Sequence, residues 1–530
     1  TGSVASGAVA TFGAAVSANT LTITGTATLQ ENDNTSEVII IADGAIVHLD
    51  KTIVTTETVF NEVVTTAPAI HAGAKIYMPV NLTYGETLTM FAGEDNTTIG
   101  DAAGNDTELD ATMQDTALID YDAALVATGN GSTLVTANAK SAATTATELK
   151  VTTNIATALK EAFTAAINTT VTDTTAEEAF DNSLNAINGM SATEDTNLAR
   201  QVAPQTDLIS GSTFAAQSVT GTVQGIMSNR MASLRSGDAY FGTGVSAGGM
   251  SAQSGFIQVF GSSAEQKDTK VGSGTQAGFD QETTGVAIGF DGISDAGLTV
   301  GLSLSTANTD VDGKGTGKSV NSIDTYSASL YMDKATDNGY VEGSLTFGIN
   351  ENSTQRKITS GGLGRTYTGS YDSQSLSLNL SAGVPNEVAN GYLTPFGSLT
   401  VTSMDIDAYT EKSTVANDAL RLKVTQDDLN SMIGSVGVKY HADMGNGGTP
   451  MISLAVNNEF GDATIDSTNQ FQGGGSAFKT ATAIEELSAT LGLGYSYGSD
   501  AASIEFAYEA DVNDDDYLSH YGSIKIVGKF

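Results

Sequence analysis

His48, His71, His441 and His520 are the only imidazoles in the chain, and none stands in a metal-ligand spacing such as H-E-x-x-H. Cysteine is absent, which removes thiolate nucleophiles, Cys-ligated zinc and disulfides. Asp310, Asp312 and Gly313 in "TDVDGKG", and Asp511, Asn513, Asp514, Asp515 and Asp516 in "DVNDDD", offer hard oxygen donors of the kind Ca²⁺ or Mg²⁺ takes. Neither run has the full EF-hand spacing, so both read as solvated loop acid. Gly242, Gly244, Gly248 and Gly249 read as a flexible junction, because no strand-to-helix context turns them into a phosphate cradle. No G-x-S-x-G elbow or Walker loop appears in the N-terminal part. The sequence therefore assigns no catalytic, cofactor-binding or metal-binding residue, and predicts a protein that is not an enzyme and needs no cofactor. Lys plus Arg is 23 against 61 Asp plus Glu, a net charge of -38, which excludes nucleic acid as a partner.

The elements around these residues change character along the chain. Residues 1–150 carry short β-type runs such as "LTITGTATL", "VIIIADGAIVHL" and "NLTYGETLTMFAG", closely and irregularly spaced, which suits the rungs of a β-solenoid. From about 154 the apolar period lengthens: Ile155, Leu159, Phe163 and Ile167 recur at i+4, and Phe180, Leu184 and Ile187 at i+4 and i+3, with Thr174 and Thr175 as a cap for the second helix. A third helical stretch, 214–236, is built mostly of Ala, Ser, Thr, Gly and Gln and carries no charge before Arg230. Its length is on the order of 30 Å at about 1.5 Å per residue, close to the thickness of a bilayer's hydrocarbon layer.

After Gly255 strict alternation takes over. Leu298, Val300, Leu302 and Leu304 interleave with Thr299, Gly301 and Ser303, and the 375–384 and 487–497 runs do the same. About twelve such strands, centred near 255, 282, 298, 323, 339, 370, 393, 430, 450, 485, 502 and 518, are joined by links that alternate between long and short. The long links are 262–278, 306–322, 351–366, 411–426 and 461–477. A soluble sandwich has no reason to sort its links this way, whereas an outer-membrane barrel has long loops on one side and short turns on the other. Girdle aromatics must be Tyr and Phe, since there is no Trp. The chain starts at Thr1 without Met or an apolar leader, so an export signal is expected to have been removed or to lie upstream.

Three stretches carry a family resemblance: "LARQVAPQTDLISGSTFAAQSVTGTVQGIMSNRMASLR" (198–235), "SGFIQVFGSSAEQKD…GFDQETTGVAIGFDG", and the terminal "YGSIKIVGKF". Together the chain resembles the autotransporter family of type V secretion, especially surface antigens of the rickettsial type. The resemblance implies an all-β membrane fold: a 12-stranded outer-membrane β-barrel at 255–530 with a helix threaded through its lumen. A linker with that lumen helix (207–254), a helical junction (151–206) and a β-solenoid-like passenger fragment (1–150) precede it. Gln217, Gln224, Asn229, Arg230 and Arg235 would then line the lumen helix. The lumen acids would be Glu342, Glu505 and Glu509, which either pair with Arg230 and Arg235 or stand as solvated charges of a wide channel. Ile524, Ile526 and Phe530 resemble the terminal signal read by the barrel-assembly machinery, and Phe530 also suits a girdle. No self-cleavage at Asn229 is expected, because the Asn-Asn pair for cyclisation is missing.

The function implied is an outer-membrane autotransporter of a Gram-negative bacterium that anchors, and helps translocate, a surface-exposed passenger of adhesive or coat-forming type. Its partners would be outer-membrane lipid, the barrel-assembly machinery and an extracellular ligand or surface. The alternative is a porin-like channel whose N-terminal part is a plug or periplasmic domain.

Overall fold

The computed structural model describes the chain apart from residues 63–68, 93–110, 127–131, 169–195 and 236–249, the terminal Thr1 and Phe530, and short stretches of one to three residues in turns. The expected helix around Phe180, Leu184 and Ile187, the glycine junction at 242–249, Asp514, Asp515 and Phe530 all lie outside the described residues. No described helix is long and apolar enough to cross a membrane.

The N-terminal part is a two-faced parallel β-solenoid. One face stacks Gly2–Val4, Ser17–Ile23, Asn34–Ile41 and Phe60–Glu62 in parallel; the other stacks Val9–Phe12, Thr26–Leu29, Ile46–Leu49 and Lys75–Tyr77. Register pairs Leu21 with Ile39 and Leu29 with Leu49, so each buried aliphatic covers the next and no rung hides its apolar side alone. Asn34 satisfies its buried amide between rungs: Oδ1 accepts from the Val16 N–H at 2.8 Å and Nδ2 donates to the Val59 carbonyl at 3.0 Å. The stack ends in an antiparallel hairpin, Ile119–Val126 with Ser132–Ala139.

Helix α1 (Ala142–Leu149) follows directly. The Ser141 hydroxyl caps its start by accepting from the Thr144 N–H at 3.1 Å, and Lys150 ends it in the left-handed region at φ 52°. Helix α2 (Thr153–Asn168) buries Leu159 and Phe163 together with Ala156, Ala158, Ala162, Ala165 and Ala166, and helix α3 (Thr196–Val202) packs on it. Helix α4 (Thr206–Arg235) begins eight residues earlier than its sequence pattern suggests, because Pro204 and Gln205 stop α3 and Asp207 supplies an acidic first turn.

Twelve antiparallel strands form the barrel: β1 (Met250–Gln266), β2 (Phe279–Ser294), β3 (Leu298–Gly313), β4 (Val320–Thr336), β5 (Gly339–Ile358), β6 (Arg365–Gly383), β7 (Gly391–Ile406), β8 (Leu429–Ala442), β9 (Gly448–Glu459), β10 (Leu487–Gly498), β11 (Ala502–Asn513) and β12 (Tyr517–Lys529). The ladder closes where β1 meets β12, from Ser254 opposite Lys529 to Gln266 opposite Tyr517. A closed sheet has no edge to leave unpaired in lipid. Leu302, Leu304, Leu330, Leu345, Leu376, Leu378 and Leu454 are exposed on the outside, forming the apolar band, while Ser303, Ser329, Thr346, Ser375 and Ser377 are buried inside.

Two of the expected long links are largely strand. Residues 306–313 and 320–322 extend β3 and β4, and 351–358 and 365–366 extend β5 and β6. Outward positions there are Asn308, Asp310, Asp312, Ser322, Glu351 and Ser353, and inward positions Asn321, Asn352 and Thr354. The outward face turns polar while the inward face mixes polar residues with Ala307, Val311 and Ile358, so the outward apolar stripe disappears although the hydrogen-bonded ladder continues. The barrel wall thus projects beyond its lipid-facing band at the long-loop end.

Glycine is required where a wall aromatic folds over the neighbouring strand. A Cβ on Gly301 would lie 2.1 Å from Cζ of Tyr331, the ring that covers it from β4. Gly301→Ala should therefore displace Tyr331 and cost about 1–3 kcal/mol, read as a lowered midpoint of thermal unfolding in detergent.

Candidate functional site

Helix α4 runs down the lumen against β2 to β6, and its composition explains its placement. Gly211, Gly221 and Gly225 make it a poor helix former in water, so the wall must hold it. Several of its hydroxyls are satisfied within the helix: Ser212 Oγ donates to the Leu208 carbonyl, and Thr220 Oγ1 to that of Ala216 at 2.9 Å. A Cβ on Gly211 would fall 2.7 Å from Cγ1 of Val311 and 2.9 Å from the Phe279 ring. Only glycine lets the helix come that close to the wall. Val219, Ile226, Met227 and Met231 meet Phe256 and Phe260 in a narrow apolar seam inside the barrel.

Polar contacts fix the depth of the helix. Asn321 Nδ2 donates to Ser212 Oγ at 2.8 Å, Gln217 Nε2 to Ser431 Oγ at 2.9 Å, and Gln224 Nε2 to Ser377 Oγ at 2.9 Å. At the short-turn end Arg230 donates Nε to Asp291 Oδ2 at 2.7 Å and Nη2 to Oδ1 at 2.8 Å, with Ser254 and the Tyr331 hydroxyl completing the cage. Side-chain exposure is 2% for Arg230 and 0% for Asp291. One turn on, Arg235 is bonded to Asp333 and, at 2.6 Å, to Glu342, with its guanidinium 3.7 Å from the centre of the Tyr340 ring. Ser228 Oγ also donates to Glu342, at 2.6 Å.

Of the acids singled out by sequence, Glu342 meets Arg235, as just described. Glu505 instead holds Lys525 and accepts from Ser233 Oγ at 3.1 Å, and Glu509 accepts from the Asn229 amide. Arg230 takes Asp291, which reads as a turn residue in "FDGIS". Continuing the inward period from Ala287 and Gly289 would have placed Asp291 in the lumen, and the same rule finds Asp333 after Ser329 and Tyr331. Ile524 and Ile526 are exposed on the lipid side of β12, paired with Val259 and Ile257 of β1, so they sit on the closing seam. On the other side of α4, Gly221, Gly225 and Asn229 face a cavity of about 660 Å³ bounded by Glu459, Glu509 and Asp511. No group of three or more metal-ligating side chains occurs among the described residues.

The mouth at the long-loop end is closed by side chains that looked like loop charges. Arg356 of β5 donates to both Glu411 carboxylate oxygens at 2.8 and 2.7 Å, to the Leu420 carbonyl at 2.8 Å, and to the carbonyls of Gln201 and Val202 at 3.1 and 3.2 Å. Arg365 of β6 donates to Asp418 at 2.7 Å. All four ionised groups are buried, and Arg356 lies 4.1 Å from the centre of the Tyr367 ring. The links 407–428 and 460–486 pair into a four-stranded sheet above the barrel, through Tyr409–Thr410, Leu422–Gln426, Thr464–Phe471 and Phe478–Ala483.

Residues 255–509 match the family model of the autotransporter beta-domain. These residues form an autotransporter β-domain. Its β-domain is similar to the probable autotransporter YpjA of Escherichia coli (strain K12), 27% identical over 254 residues, 44% of this chain and 16% of that protein. It is likewise similar to outer membrane protein B of Rickettsia rickettsii, 27% identical over 281 residues, 48% of this chain and 16% of that protein. The chain thus spans about a sixth of the length of these relatives. Among solved structures, the translocator domain of autotransporter NalP from Neisseria meningitidis matches with a TM-score of 0.47 at 17% identity, covering 60% of this chain and 98% of that one. The autotransporter β-domain is an outer-membrane barrel of a Gram-negative bacterium, and the family is mainly one of secretion and surface proteins.

Two outcomes follow from the lumen and mouth of this autotransporter. Arg230→Met leaves Asp291 charged and unpaired in the wall and should cost about 3–5 kcal/mol, with Arg230→Met/Asp291→Leu recovering much of the loss in the same thermal melt. Asp207 lies beyond the apolar band, beside Gly313 and Gly315; burial pushes its carboxyl up to about 6, against the lowering pull of the Gly315 and Leu208 N–H groups. In the fold it binds a proton at a pH where the unfolded chain does not, so stability falls as pH rises through the window between the ordinary carboxylate value and about 6. Amides of the first α4 turn should be more protected from hydrogen exchange at pH 5 than at 7.5, after correction for intrinsic rate, and Asp207→Asn should abolish that difference.

Proposed function

We propose that the barrel translocates and anchors its own N-terminal part and displays it outside the cell, and that this passenger is adhesive or coat-forming and carries no enzymatic activity. The observation that carries the reading is the direction of α4. Its first turn lies with Gly313 and Gly315 at the long-loop end, and its last turn with Asp333 and Glu342 at the short-turn end where β1 begins. A chain laid this way puts the solenoid on the loop side and leads into the first strand from the turn side. Long loops face the exterior in outer-membrane barrels.

The solenoid is a stacked surface with Asp33, Asp43, Asp120 and Asp122 outward, suited to cation, glycan or protein contact. The lipid of the outer membrane meets the apolar band. The last strand, β12, with Ile524 and Ile526 outward, offers the barrel-assembly machinery an edge for strand addition before β1 closes on it. The lumen set of Gln217, Gln224, Asn229, Arg230 and Arg235 with Glu342, Glu505 and Glu509 serves to seat the linker rather than to react.

Protease added to intact cells should remove the solenoid while leaving a membrane-embedded fragment that retains β1 to β12. Full protection of residues 1–168 on intact cells, with digestion only after the outer membrane is opened, would instead favour a porin-like channel with a periplasmic domain.

A further inference from the structure

Beside the last turns of α4, at the short-turn end, the lumen holds a second cavity of about 350 Å³ between the helix and the inner faces of β7 to β12. That volume falls in the range of about 300–1,000 Å³ typical of small-molecule sites. The other lumen cations are matched: Arg230 with Asp291, Arg235 with Asp333 and Glu342, and Lys525 with Glu505. Lys439 of β8, on the cavity wall, is the exception. Its ammonium lies 5.0 Å from the centre of the Phe396 ring and makes no ion pair with any described residue. Two positions on, the His441 ring stacks on Tyr392 with centres 5.3 Å apart and donates to no described residue. An ammonium inside a barrel wall is costly without a counter-ion, and here only the cavity can supply one.

The opposite wall has the complementary lack. Glu505 of β11 binds Lys525 and Ser233 through Oε2, while its Oε1 has no partner among the described residues. Gln258 of β1, 3% exposed, donates Nε2 to Tyr521 and Ser523 at 3.0 and 2.9 Å, and its Oε1 is likewise unpartnered. Two free donors and two free acceptors thus border one cavity from different sides. Register leads from His441 through Met451 and Gly494 to Ala507, one inward position from Glu505. Three ladder steps of about 4.8 Å separate those strands by about 14 Å along the wall, before the side chains reach inward. Met451 and the Tyr392 ring give the space an apolar lining.

We infer that this vestibule binds a free peptide of two or three residues by both charged ends. The carboxylate sits on Lys439 and the His441 N–H, and the ammonium on Glu505 Oε1 and Gln258 Oε1, each end in charge-assisted hydrogen bonds. An extended tripeptide is about 10 Å long at about 3.4 Å per residue, which spans the gap between the side-chain ends. The middle of a longer chain carries neither charge and is not recognised, so this binding is separate from any passage of the passenger through the barrel. The display reading above places the opening on the periplasmic side; the binding itself does not rest on it.

The probe is trialanine, titrated into the full chain in detergent and followed by ligand-detected NMR. Trialanine amide, N-acetyl-trialanine and the doubly blocked peptide are run beside it. The expected result is saturable binding of trialanine, binding of each singly blocked peptide weaker by about tenfold or more, and no saturable binding of the doubly blocked one. Lys439→Gln removes a charge that has no partner, so it should keep the unfolding midpoint while losing the preference for the free carboxylate over the amide. Absence of saturable trialanine binding overturns the inference. Equal binding of the doubly blocked peptide does so too, as does a Lys439→Gln protein that still prefers the acid to the amide. Binding in detergent is independent of sidedness, so a failure of the display reading would leave these results unchanged.

Discussion

A sheet can cross lipid only if every backbone N–H and C=O finds a partner within it, and the pairing of β1 with β12 is what meets that condition here. Closure fixes the period-two alternation on all twelve strands, and alternation leaves one face for lipid and one for an interior. That interior is lined by serine, threonine and asparagine, whose hydroxyls and amides bond one another, as between Thr283 and Thr309 or Ser329 and Thr346. A polar tube of this kind accepts a helix of small residues and can bury a charge only where it supplies the opposite one.

Helix α4 uses both allowances. Its slender middle slides along the wall through glycine and alanine, and its two arginines fall where Asp291, Asp333 and Glu342 project inward. Such pairs contribute little net stability compared with an apolar replacement, but a helix displaced by one turn would leave a buried charge alone. They therefore set depth and rotation. At the opposite end Arg356 does the same for the mouth, joining a barrel strand, a loop and the end of α3 through five hydrogen bonds. The solenoid, its helical base and the barrel are in this way one connected structure.

The lipid-facing halves of the strands were legible in the sequence because their leucines recur every second residue beside serine and glycine. The solenoid was legible as close-spaced β runs, although register offsets that vary from rung to rung hid any repeat. Strand extensions at 306–313 and 351–358 were not legible, since their outward face is polar and the few inward apolar residues, Ala307, Val311 and Ile358, are too sparse to mark a period. Arg356, Arg365, Glu411 and Asp418 were missed for a related reason: an isolated charge in a loop reads as solvated, and only the pairing of two distant links buries it. Asp291 and Asp333 were within reach, because the inward register passes through them, but adjacent Gly and Asp made their segments look like turns.

The central claim is that α4 passes through the closed barrel with its first turns against β3 at the long-loop end. Because the chain contains no cysteine, a single pair tests this directly. The hydroxyls of Thr220 on α4 and Ser375 on β6 stand 3.5 Å apart, so Thr220→Cys with Ser375→Cys places two thiols within reach of one bond, whereas Thr220→Cys with Ser488→Cys, on the far wall, does not. In protein folded in the outer membrane, the first pair should oxidise completely and resist maleimide, and the second should stay reduced. Free, maleimide-reactive thiols in the first pair would contradict a helix seated in the lumen.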